Sequence, residues 1–401
     1  MISCAIILKE EFHLFHSLQY TNVPKLFNEV TQSTILLIQY FQEETLIDLN
    51  ALISSIKRNC DISDARYWGF YSLCGLLLRL RELYRSEKGI RPWESINQEE
   101  ISEWISAREA LWKELEEKDF SDLIIGEQVY GPFEIERTNA VLEKENLLYG
   151  GGYGIHMKPS FFLADLISKK NIEGHDVYIA GHEYVRDLAV YPATLQDGSI
   201  FARVDTTRQL LWEKFEELRL KRSKVSLAFA FSRYGITPED EPSEDMYRQM
   251  FHVALSEVET YIYHELGEAF EEKRLSGEWK NLLLDFSGTK VEIFARGVKD
   301  LLSDTSENGM IRYIVDNKKE GSLGFYLVFL GGYRKPLFPE VTKAFEGFVE
   351  SGDWGLVEEA RNAGYKKASA CAEKLLSFRR EKRDQSRISE YIDKEIVASK
   401  L

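Results

Sequence analysis

The sequence predicts a mostly α-helical protein in three parts: a helical N-terminal bundle over 1–118, a small mixed α/β section over 119–204, and a helical C-terminal domain over 205–401 packed with that middle section. Three observations predict it. Apolar residues recur at helical spacing before 118 and after 205, the period shortens to β-like runs between Phe120 and Val204, and Gly277, Gly321 and Gly352 punctuate the later helices. With 401 residues, 44% of them apolar, the chain can fill more than one core.

Four helices are expected from Asn22 to Lys118. Asn22 with Pro24 opens the first, Ser63 caps the third, and Asn97 with Glu100 makes a capping box for the fourth. Trp68, Tyr71, Leu78 and Leu80, set among polar residues, give the third the look of a bundle helix. In the middle section the strand-like runs are Leu123-Ile125, Leu147-Tyr149, Val177-Ala180 and Ile200-Val204, and the apolar segment after Pro159 reads as helical. Beyond it, helices are expected over 205–221, 243–275, 289–303, 338–350 and 353–382.

Charge narrows the partners. The balance of 51 basic against 66 acidic residues gives a net −15, which argues against nucleic acid and anionic membrane surfaces as partners. No basic patch overrides it, since Arg379-Arg380-Glu381-Lys382-Arg383 reads as a solvated helical face. The scattered cysteines Cys4, Cys60, Cys74 and Cys371 form no Cys-x-x-Cys pair and read as reduced core thiols. The apolar run from Met1 to Leu8 lacks a preceding positive charge and a small-residue cleavage site, and no stretch reaches the length needed to span a bilayer. The expected compartment is the cytoplasm.

The chemistry concentrates on the helix that Ser243 caps. Glu244 and Asp245 suit its positive end, and Gly277 is expected to end it. Phe251, Ala254, Leu255, Val258, Ile262, Leu266 and Ala269 make one apolar stripe, and Glu265 falls inside that stripe. A carboxylate there must be paired, protonated or metal-bound, so Glu265 is expected to be largely buried with a cation, an arginine, a tyrosine or a metal in reach. His264 and Glu268, one turn apart, sit side by side and can share one ion.

The run His264-Glu265-Leu266-Gly267-Glu268 locally resembles the active helix of the zincin metalloproteases, His-Glu-x-x-His. That resemblance implies His264 as a metal ligand and Glu265 as the catalytic base. Where zincins place a second histidine this chain has Glu268, an oxygen ligand that suits manganese or iron as well as zinc. The di-metal ferritin-like bundles fit less well, because they take a Glu-x-x-His pair from each of two helices and only Glu10 and His13 stand at that spacing. At least one further ligand must come from another segment, since His252 and Glu257 lie too far along the same helix, seven residues spanning about 10 Å.

Other candidates have plainer readings beside them. The run from Tyr149 to Pro159 could cradle an anion with Lys158, or form a mobile or tightly turned connection; Tyr153, His156 and Lys158 are its expected ligand-binding residues, a wall of the same pocket. Between His175 and Asp187, His175 and His182 could meet only if the chain folds back, and ordinary hydrogen bonding is the expectation. No Gly-x-Ser-x-Gly elbow is present. The blocks Lys158-Pro159-Ser160-Phe161-Phe162, His264 to Glu268 and Gly331 to Phe338 together resemble an uncharacterised bacterial family, a resemblance that implies no activity. Two functions stay open: a metal-dependent enzyme centred on Glu265, His264 and Glu268, hydrolytic or oxidative, with a divalent manganese, iron or zinc ion; or a non-catalytic binding or scaffold protein whose polar core helix is structural.

Overall fold

A computed structural model of the chain describes residues 47–154, 157–220 and 225–398. The apolar run Met1–Leu8, Cys4, the helix start at Asn22 and Pro24, and His156 lie outside the described residues. Two compact units divide the chain: of the described residues, 47–52 with 124–129 belong to one, and 53–123 with 130–398 to the other. The sheet, the later helices and the site described below all lie in the second.

The elements run as expected in order, helical, then mixed, then helical. First come α1 (Leu49–Tyr67), α2 (Leu73–Lys88) and α3 (Gln98–Leu115), then a two-stranded pair β1 (Leu123–Ile125) and β2 (Gln128–Tyr130), and α4 (Ile135–Leu142). A five-stranded sheet follows from β3 (Leu147–Tyr153), β4 (Pro159–Ile172), β5 (His175–Arg186), β6 (Ala193–Gln196) and β7 (Ser199–Arg203). The chain closes with α5 (Val204–Leu220), α6 (Val225–Ser232), α7 (Glu244–Asp285), α8 (Lys290–Thr305), α9 (Met310–Asp316), α10 (Glu320–Phe329), α11 (Arg334–Leu337), α12 (Pro339–Ser351), α13 (Trp354–Arg380) and α14 (Gln385–Ala398).

Asn97 caps α3 by accepting the Glu99 and Glu100 amides, as its spacing to Glu100 predicts. Three other local expectations give way. Ser63 caps nothing: it is buried inside α1, where its hydroxyl donates to the Pro159 carbonyl, and Ser72 caps α2 instead. Cys74 is exposed, whereas Cys60 and Cys371 are buried free thiols. The segment after Pro159 is β4, the longest strand of the sheet, because Phe161, Phe162, Leu163 and Ala164 are buried on both faces and leave no polar side for an amphipathic helix.

Sheet order is β3-β4-β5-β7-β6, antiparallel except for the parallel pair β5-β7. Leu148, Phe162, Tyr178 and Phe201 pack with Ile135 of α4 on one face. Val177, Ile179, Ile200 and Ala202 meet Leu211 and Phe215 of α5 and Val258 and Ile262 of α7 on the other. The run Gly150-Gly151-Gly152 is neither mobile nor a turn; it is the middle of β3, where a side chain at Gly150 would collide with Phe162 and one at Gly152 with Gln196.

Helix α7 joins this core to the next one. It breaks at Ser276 (φ 58°) rather than ending at Gly277, then resumes to Asp285, because Trp279 and Leu282 bury against Phe294, Val298 and Leu301 of α8 and the helices after it.

Candidate metal centre

Ser243 starts α7 with an extended backbone, and its hydroxyl accepts the Met246 amide at 3.2 Å. Ala254, Val258, Ile262 and Leu266 are fully buried as the stripe predicts. The adjoining strip of the helix, Glu257, Tyr261, His264, Glu265, Glu268 and Glu272, faces a cavity of about 600 Å³. Arg296, Lys299 and Asp300 of α8 form a second wall, Tyr191 to Leu195 with Tyr153 a third, and Ser322, Phe325, Tyr326, Phe329 and Arg334 complete it.

Gly267 makes the α7–α8 approach possible, since a Cβ there would run into the Ser303 carbonyl. A glycine inside a helix costs about 1 kcal/mol against alanine, so its presence between Leu266 and Glu268 marks close packing. Pressed against α7 in this way, α8 presents Asp300 and Asp304, one turn apart, to His264.

Asp304 is fully buried and accepts three donors: His264 Nδ1 at 2.7 Å, Arg334 Nη1 at 3.0 Å and the Tyr326 hydroxyl at 3.2 Å. The charged acceptor fixes the proton on Nδ1 and leaves Nε2 turned toward Glu268, 3.8 Å from its Oε1. His264, Glu268 and Asp300 then offer one nitrogen and two carboxylate oxygens, all within 4.8 Å of one another. Lys299 donates to Glu268 at 3.1 Å, whereas Asp300 accepts no hydrogen bond from any described residue. Asp300 thus stands, from a second segment, where the sequence reading asks for a further donor to any ion shared by His264 and Glu268.

Glu265 is partly buried beside the cavity, and its partner is not the expected side chain: Oε2 accepts the Leu195 amide of β6 at 2.9 Å. Burial, with Glu268 adding repulsion, pushes its carboxyl up to about 7 against the opposing pull of His264, the Leu195 amide and Lys299. For His264 burial alone lowers basicity, but Asp304, Glu268 and Glu265 outweigh it and leave the imidazole at about 10, so an ion taken up at neutral pH must displace the proton on Nε2. Burial raises the Asp300 carboxyl, helped by Glu268 and Asp304. Asp304 is the reverse, since His264 and Arg334 more than offset its burial and hold it below the ordinary range.

The residues singled out around Tyr149 to Pro159 separate. Tyr153 lines the cavity. Lys158 does not: it is buried between Asp64 at 3.0 Å and Asp187 at 3.1 Å. The histidines of β5 are also apart, His175 facing the Gly198 carbonyl at 2.8 Å and His182 facing Asp205 at 3.0 Å. Asp300, Asp304, Lys299 and Arg334 escape a reading of sequence because α8 looks like any amphipathic helix. A faint signal exists: Arg296, Asp300 and Asp304 recur every four residues on one face, and Arg334 lies in the block from Gly331 to Phe338.

Among the described residues no helix is long and apolar enough to cross a membrane. Neither a curated protein nor a solved structure matches the chain. Two family domains do, the DUF6866 N-terminal domain over residues 51–203 and the DUF6866 C-terminal domain over residues 208–396, both of a family of unknown function. With the two domains matched in succession over most of its length, the chain belongs to the DUF6866 family.

Proposed function

We propose that this protein is a divalent-metal-dependent enzyme in which His264, Glu268 and Asp300 hold the ion and Glu265 is the catalytic acid–base group, acting by hydrolysis on a small molecule in the cavity. The convergence of three donors within 4.8 Å of one another carries this reading. Donors about 2.1 Å from a common ion stand roughly 3–4 Å apart, so small side-chain rotations close the ring. Behind the imidazole, Asp304 stands where buried carboxylates support ligating histidines and fix their tautomer. One imidazole with two carboxylates suits manganese or iron as well as zinc.

A bound divalent ion supplies charge that polarises a substrate oxygen and lowers the pKa of water toward neutrality. Glu265, aimed by the Leu195 amide, would accept that proton and return it to the leaving group. Tyr153 of β3 and Leu195 of β6, from the two terminal strands of the sheet, line the cavity beside the helix face.

The scaffold reading is favoured by one observation, the Lys299–Glu268 pair, which neutralises a would-be ligand from within. Elemental analysis of protein purified without chelator or histidine tag separates the two. The enzyme reading expects one ion per chain, or a rise in melting temperature on adding Mn²⁺, Fe²⁺ or Zn²⁺. Metal-free protein whose melting ignores all three ions overturns the metal-dependent reading and favours the scaffold.

A further inference from the structure

The cavity's charges identify the chemistry of its occupant once an ion is in place. Its lining sets the carboxylates Glu257, Glu265, Glu268, Glu272 and Asp300 against Arg296, Lys299 and Arg334, an excess of negative charge that favours a cation. A divalent ion on His264, Glu268 and Asp300 cancels two of those carboxylates and becomes the largest local charge. It also draws on Glu268 through the oxygen that faces His264, Oε1, while the Lys299 ammonium, only 21% exposed, donates to the other oxygen, Oε2, at 3.1 Å. An enclosed ammonium that shares its carboxylate with an ion is incompletely neutralised and favours a further anion.

Arg334 is similarly available. Its guanidinium gives Nη1 to Asp304 and Nη2 to the Phe329 carbonyl at 3.2 Å, which leaves several of its five N–H donors for a ligand. The loaded site thus gathers open coordination positions, an ammonium that shares its carboxylate with the ion and a partly used guanidinium in one cavity, with Tyr153, Phe325 and Phe329 as apolar surface.

Resting on the metal-dependent reading above, we infer that the substrate is a small organic oxyanion with an aromatic or apolar body, that it binds after the metal, and that Lys299 and Arg334 recognise its anionic group. The ion cancels the lining's excess of negative charge and so lets the cavity accept an anion. Phosphate and carboxylate groups share this chemistry.

Calorimetric titration of phenylphosphonate, benzoate and benzylamine into protein with and without Mn²⁺ tests the inference. At least one of the two anions binds the Mn²⁺-loaded protein roughly tenfold or more tighter than the metal-free protein, benzylamine shows the opposite preference, and the tighter anion identifies the group. Lys299→Met retains Mn²⁺ binding, which shows that it is folded, and weakens the anion roughly tenfold. Mn²⁺ uptake without anion binding, or benzylamine preferring the loaded protein, overturns the inference and leaves the metal site standing. Unchanged anion affinity in Lys299→Met removes Lys299 from the recognition and overturns that part. Failure of wild type to take up Mn²⁺ overturns the metal reading and this inference with it.

Discussion

Lys158 and His264 each lie against two carboxylates inside the protein, yet their surroundings differ in every respect that decides function. Around Lys158 the oxygens of Asp64 and Asp187 are also taken by the amides of Phe161, Leu188 and Ala189, and neither carboxylate lines the cavity beside α7. Nearby, Glu183 is closed in the same manner by Arg203 and Thr206. Around His264 only Asp304 is saturated; Glu268 has one ammonium, Glu265 one amide and Asp300 no donor, and all three face open space. Buried charge by itself therefore says little. Carboxylates left short of donors beside a cavity are what ask for a ligand.

Removing Lys158 gives the largest expected effect. Lys158→Met strands Asp64 and Asp187 without their counter-ion and is expected to cost about 3–5 kcal/mol, read by denaturant melts. A loss below 1 kcal/mol would erase the distinction between the closed and open clusters.

Gly267→Ala comes next. A methyl group against the Ser303 carbonyl must push α8 from α7, so we expect a loss of about 1–3 kcal/mol together with weaker divalent-ion binding. If stability falls while ion affinity is untouched, the helix spacing does not set the site.

Glu265→Gln is the informative small change, because it keeps the acceptor for the Leu195 amide and removes an ionisable group raised by burial. The expected melting temperature is equal to wild type or higher, as for a functional residue carried at some cost to stability. A destabilisation beyond about 2 kcal/mol would place Glu265 with the structural network instead.

The smallest effect is expected at His182. Its pKa is raised above the ordinary 6.5, chiefly by the hydrogen bond to Asp205. The pair's stabilisation is therefore complete below the unfolded value of 6.5 and disappears as pH rises through the higher folded value. Because the imidazole is largely exposed, His182→Gln is expected to cost less than about 0.5 kcal/mol at pH 6 and nothing at pH 9. A cost that grows with pH would reverse the sign of this account.

Local and periodic signals made the helix order, the Ser243 cap and the cavity-facing strip of α7 legible in the sequence. Signals that depend on distant packing did not survive translation. Strand β4 reads as a helix because its apolar run lacks alternation, and only the two packed faces of the sheet explain that run. Lys158 looks like a ligand-binding residue until Asp64, far earlier in the chain, is seen against it. Asp300 and Asp304 gain meaning only when Gly267 lets α8 lie against α7, although the glycine inside the His264 to Glu268 run was visible as a clue to such an approach.

The central claim, that the open cluster binds a divalent ion, is tested most directly by calorimetric titration of Mn²⁺ into wild type and Asp300→Asn. The account predicts one site per chain in wild type and an affinity at least roughly tenfold lower in Asp300→Asn, in the range lost when a metal site's supporting groups are removed. No heat of binding in wild type, or equal affinity in both proteins, would contradict it.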